Sequence, residues 1–155
     1  MVEELRLPLI GERVEAGLPG LPGFPGFSGF SGFPSPADDF IERSLDLNEQ
    51  LVSNPIATFF VRASGNSMDG AGIHDGDLLV VDRSAIPAHG KIVIAVVDGG
   101  LTVKRLTKRG MHMFLTPEPN KLDQGKYSPI EFGEDTDATI WGVVTWSIHN
   151  LQCTR

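Results

Sequence analysis

A single cysteine, Cys153, is the third residue from the end of this 155-residue chain, so no internal disulfide can brace the fold. That suits a reducing, cytoplasmic setting. A redox or nucleophilic role for Cys153 is the poorer reading, because terminal residues are commonly weakly supported. Positive charge is also scarce. Lys and Arg number 13 against 20 Asp and Glu, a formal net charge of -7. Such a surface repels phosphates, which argues against direct, tight nucleic-acid binding and makes a protein partner the better route to it. Long apolar runs are missing too. The longest, Ile92–Val97, has six residues, whereas a helix needs about 20 to span a bilayer, so no membrane association is expected. Met1–Ala16 mixes in acidic residues, has no long apolar core and does not read as a signal peptide. Hydrophobic residues still make up 41% of the chain, enough for a real core.

Glycine and proline are plentiful, at 18 and 11 residues, and they are not spread evenly. From Gly17 to Gly32 glycine returns at every third position, separated by Leu-Pro, Leu-Pro, Phe-Pro, Phe-Ser and Phe-Ser. The period mimics collagen, but the run is too short and Phe suits a triple helix poorly. It reads as a flexible spacer with polyproline character, or as a reachable peptide that something binds or cuts. The expected organisation is a flexible arm over residues 1–34 and an ordered, β-rich domain over 35–155.

Within the ordered part, Ser35-Pro36-Ala37-Asp38 supplies a cap, a first-turn proline and an early carboxylate, which predicts a helix start. Asp46 and Glu49 repeat the signal for a second short helix carrying Leu47 and Leu51. After Asn54-Pro55 the pattern changes. Thr58–Arg62, Leu78–Val81, Ile92–Val97, Leu101–Val103, Met113–Leu115 and Ile140–Ile148 are short segments, most of them rich in β-branched residues. Turn clusters such as Asp75-Gly76-Asp77 divide them, and Asp98-Gly99-Gly100 predicts a tight hairpin. Many short strands without alternating helices predict a mainly β, antiparallel, barrel-like domain.

Ser67 lies in Ala63-Ser64-Gly65-Asn66-Ser67-Met68-Asp69-Gly70, just after a predicted strand, where a Gly-rich turn can expose a side chain. Asp69 breaks the Gly-x-Ser-x-Gly elbow and Gly70 breaks Ser-x-x-Lys, so neither scheme applies. A charge-relay triad would need a placed histidine. His74 and His89 fall in turn-like, Asp/Gly-rich sequence typical of solvated side chains, His112 beside a strand and His149 in the tail. Their spacing shows no metal-ligand pattern. Asp69, Asp75, Asp77 and Asp82 do not match a calcium loop, and Asp-Gly pairs are ordinary turn formers, so neither metal nor cofactor is expected. Lys104, among apolar neighbours in Gly100-Leu101-Thr102-Val103-Lys104-Arg105-Leu106, reads in two ways. It is a strand lysine facing water, or a buried amine held neutral and able to act as a general base.

Several segments together carry a resemblance. Gly32-Phe33-Pro34-Ser35-Pro36-Ala37, Asp46-Leu47-Asn48, Ala63–Met68, Gly76–Asp82, His89–Ala95 and Thr102–Leu106 closely resemble the UmuD family of SOS mutagenesis proteins. That family shares its protease domain with LexA-type repressors. The likeness runs in order over roughly Gly32 to Gly142. It implies a compact LexA/UmuD-type protease domain with a Ser–Lys dyad, Ser67 as nucleophile and Lys104 as base. It also implies self-cleavage stimulated by a RecA filament on single-stranded DNA. The trimmed homodimer would then join a UmuC-like DNA polymerase for translesion synthesis. Only about thirty residues precede the implied cut, many of them Gly and Pro, so the helix-turn-helix domain of a LexA-type repressor is not expected.

The family usually cuts after Cys or Ala and before Gly, whereas the matching position here is Ser31. A serine is small enough for a tight pocket, so Ser31–Gly32 is the expected scissile bond. Ser28–Gly29, three residues earlier, is its near copy. Two other readings compete: a non-catalytic β module docking a polymerase or a RecA filament, and a signal-peptidase-like enzyme, which would carry a membrane anchor.

Overall fold

A computed structural model describes residues 6–10, 41–133 and 136–152. They belong to two units, one within Met1–Gln50 and the other within Leu51–Arg155. In the first, β1 (Arg6–Ile10) pairs antiparallel with β2 (Ile41–Asp46), placing Arg6 opposite Asp46 and Leu7 opposite Leu45. The helix start predicted at Ser35-Pro36-Ala37-Asp38 lies outside the described residues. Ile41–Asp46, where such a helix would continue, is strand instead. Pairing with a distant segment outweighs a local cap signal there. The second predicted helix is present as α1 (Leu47–Leu51). Asp46 caps it, its Oδ1 accepting from the backbone N–H groups of Asn48 at 2.8 Å and Glu49 at 3.4 Å.

The second unit is one seven-stranded antiparallel sheet. Its strands are β3 (Thr58–Arg62), β4 (Leu78–Asp82), β5 (Ile92–Val97), β6 (Gly100–Arg109), β7 (His112–Thr116), β8 (Ile130–Phe132) and β9 (Ala138–Ile148). Across the sheet they run β3-β4-β9-β5-β6-β7-β8. The protein is therefore mainly β, as its short β-branched segments predict. The β5–β6 hairpin closes on two residues, with Val97 opposite Gly100. Asp98 and Gly99 take positive φ values of 49° and 79°, which a right-twisted hairpin of this length demands.

Alternation along the strands builds a core on each face of this sheet. Leu79 and Val81 of β4 and Ile94 of β5 join Ala63, Met68 and Ile73 in one cluster. Val93 and Ala95 point the other way and pack with Leu106, Leu115 and Val143. The long strand β9 serves two neighbours in turn, β5 through Ala138–Val143 and β4 through Val143–Ile148, with a register shift against each. Such irregularities bend and twist a strand. At the bend stands Gly142, where a Cβ would fall 2.6 Å from Val81 Cγ1, so only glycine fits without a shift.

Candidate active site

Ser67 sits in the connection between β3 and β4, and its place is set by the residues around it. Gly65 takes a left-handed φ of 84°, and its N–H donates to Asp75 Oδ1 at 2.8 Å. Met68, only 1% exposed, pins the turn into the core. Its carbonyl accepts from the N–H groups of Ala71 at 2.9 Å and Ile73 at 3.2 Å, and Asp69–Ala71 forms a single 3-10 turn. Between a buried Met68 on one side and an exposed Asn66 on the other, Ser67 is half-buried.

Lys104 comes from β6, where Val93 of β5 is its register partner. Its 8% exposure makes it one of three buried polar or charged residues among those described. Of the two sequence readings, the buried amine is the one observed. Lys104 Nζ lies 2.9 Å from Ser67 Oγ, 3.0 Å from Thr102 Oγ1 and 2.9 Å from the Val103 carbonyl. Burial pushes its pKa below the usual lysine value. The structure thus brings together Ser67 and Lys104, 37 residues apart in sequence. An ammonium would donate to all three neighbours. A neutral amine would donate to Val103 O and Thr102 Oγ1 and accept the Ser67 proton.

Thr102 is a member of this cluster that no catalytic motif marks in the sequence. Period-two alternation puts Thr102 and Lys104 on one face of β6, so the signal was present. The histidines lie elsewhere in the network. His74 Nδ1 is 3.3 Å from Asp69 Oδ1, Lys108 N–H donates to His89 Nδ1 at 2.9 Å, and His112 Nδ1 is 2.5 Å from Glu131 Oε1. His149 Nδ1 lies 2.5 Å from Oδ1 of the buried Asp77. The acidic residues likewise have separate tasks: Asp75 holds Gly65, Asp82 accepts from Ser84, and Asp77 accepts from His74 N–H and Ser147 Oγ. Ser31 and Gly32, the expected cleavage site, lie outside the described residues, as does Cys153.

Comparison with known proteins places this chain in a family. Residues 8–145 match the peptidase S24-like family. The chain belongs to that family. Peptidase S24 proteins are self-cleaving serine peptidases. Protein ImpA of Salmonella typhimurium is 52% identical over 147 residues, covering 94% of this chain and 85% of that one. Protein MucA of Escherichia coli is 43% identical over 117 residues, 74% of this chain and 75% of its own. The LexA repressor of Glaesserella parasuis is 35% identical over 142 residues, 92% of this chain but 60% of the repressor. The resemblance to UmuD-type SOS mutagenesis proteins, drawn from the motifs, holds. Among the described residues no helix is long and apolar enough to cross a membrane.

Proposed function

We propose that the protein is a Ser–Lys peptidase that cuts within its own N-terminal arm, residues 1–34, at Ser31–Gly32, ahead of a peptidase domain formed by residues 35–155. The observation that supports this is the 2.9 Å approach of a buried Lys104 amine to the Ser67 hydroxyl. In this reading neutral Lys104 takes the Ser67 proton as Oγ attacks the Ser31 carbonyl carbon. The resulting ammonium then protonates the Gly32 nitrogen as the peptide bond breaks, leaving the Ser31 acyl group on Ser67. Water, deprotonated by the same amine, hydrolyses that ester and restores the hydroxyl. Thr102 and the Val103 carbonyl orient the amine so that its lone pair faces Ser67.

The biological setting is proposed on the likeness to UmuD-type SOS mutagenesis proteins rather than on the site. The trimmed chain acts in the cytoplasm as a homodimer and an accessory subunit of a UmuC-like, error-prone DNA polymerase in the SOS response. A RecA filament on single-stranded DNA stimulates the cut by raising the population of the docked arm, with the chemistry left to Ser67 and Lys104. Incubating the purified chain at alkaline pH, with and without such a filament, tests the activity. A shortened product beginning at Gly32 by mass spectrometry is expected, and Ser67→Ala should yield none. A product beginning at Gly29 moves the cut to Ser28–Gly29. Cleavage that persists in Ser67→Ala would rule out the assignment.

A further inference from the structure

The Ser67–Lys104 contact joins a turn to a strand, and something must hold the two at a fixed separation. Along its backbone, the turn hydrogen-bonds at both ends to one residue. Glu118 N–H donates to the Ser67 carbonyl at 2.8 Å, and Gly70 N–H donates to the Glu118 carbonyl at 2.7 Å. The approach is so close that a Cβ on Gly70 would lie 2.7 Å from the Pro119 oxygen and 2.9 Å from the Glu118 oxygen. The side chain of Glu118 turns towards the other partner's strand. Arg105, next to Lys104 on β6, donates from Nε to Glu118 Oε1 at 2.5 Å and from Nη2 to Oε2 at 2.9 Å. Its remaining arm, Nη1, donates to the Gly90 carbonyl at 2.7 Å and fixes the plane of the fork.

A continuous chain therefore runs from the strand of Lys104 through Arg105 and Glu118 to the backbone of the Ser67 turn, at the Ser67 carbonyl and the Gly70 N–H. Both side chains of the pair are about one-third exposed, 29% for Arg105 and 32% for Glu118. Ion pairs so open to solvent add little to stability. What a bidentate guanidinium–carboxylate pair does supply is a fixed distance and direction, which a point charge cannot. Misplacing reacting groups by about 1 Å costs on the order of a hundredfold in rate.

We propose that Arg105 and Glu118 are positioning residues that set the distance between Ser67 Oγ and Lys104 Nζ. This rests on reading Ser67 and Lys104 as nucleophile and base, and the test separates the two ideas. A fluorophosphonate probe bonds its phosphorus to Ser67 Oγ and expels fluoride, so its reaction reports the pair without requiring the arm to dock. Labelling rates of the full chain are measured from neutral to alkaline pH for wild type, Glu118→Gln, Arg105→Lys, the double variant and Lys104→Met, together with thermal unfolding.

Each single variant should lower the alkaline plateau by about tenfold or more while leaving the pH of the inflection in place. Melting should stay within about 3 °C of wild type. The double variant should be no slower than the slower single, because one link is being broken twice. An unchanged plateau overturns the proposal, as does a double loss equal to the product of the singles. If both single variants unfold, the pair is a stability element and the proposal fails. If Lys104→Met labels like wild type, or wild type does not label, the dyad reading falls and this proposal falls with it.

Discussion

Lys104 Nζ has three neighbours, Ser67 Oγ, Thr102 Oγ1 and Val103 O, and its protonation state decides what each receives. Burial lowers its pKa, so in the folded chain the proton leaves at a lower pH than in the unfolded chain. Below the folded value the amine is buried and charged, which costs stability. That cost is relieved as pH rises through the lowered value towards the ordinary one of about 10.4. Self-cleavage should therefore accelerate from neutral to alkaline pH, measured as the rate of appearance of the shortened chain. A flat profile would count against a titrating lysine. Lys104→Met should abolish cleavage while leaving the neutral-pH melting temperature no lower than wild type. Thr102→Val keeps the shape but removes one hydrogen bond that orients the amine. It should slow cleavage by about 5- to 10-fold, the rate equivalent of one such bond.

At the scale of elements, the bend in β9 carries a clear liability. Gly142→Ala would push a Cβ against Val81, which is fully buried and β-branched and has little freedom to turn away. We expect a loss of about 1–3 kcal/mol, read as a lower urea midpoint at unchanged slope. Much of the sheet was legible because its signals are local. The β-branched runs gave β3, β4 and β5 almost residue for residue, and Asp98-Gly99 announced its own turn. β1 and β2 were not legible, since each is a strand only by virtue of a partner 31 to 40 residues away. β8, three residues long, carries too little pattern to stand out. At the site, the exposed turn around Ser67 and the apolar setting of Lys104 could be read, but their meeting came from the family resemblance. Pairs such as Arg105 with Glu118 depend on where β6 lies relative to the segment beyond β7, and no spacing rule supplies that.

For the molecule as a whole, Asp77 ties the middle of the chain to its end. Burial alone would raise its pKa. Hydrogen bonds from His74 N–H, His149 and Ser147 more than offset that and lower it. Its contribution is present at neutral pH and is lost as pH falls through that lowered value, below 3.8. Asp77→Ala should destabilise the fold by about 3 kcal/mol at neutral pH by stranding those donors. The deficit should shrink in an acid titration of the melting temperature. A different consequence follows from where the two proposed catalytic groups hang in the sheet. Ser67 follows β3, which among the described residues is an end strand bonded to β4, whereas Lys104 rides on β6, bonded on one side to β5 and on the other to β7. Fraying starts where neighbours are fewest. Peeling β3 away would release the chain leading into the Ser67 turn, leave Met68 and Glu118 to hold the hydroxyl near the amine, and keep six strands joined. We expect self-cleavage by the proposed pair to weaken on warming before the protein melts and to recover on cooling, so that a folded chain and a competent one are different populations.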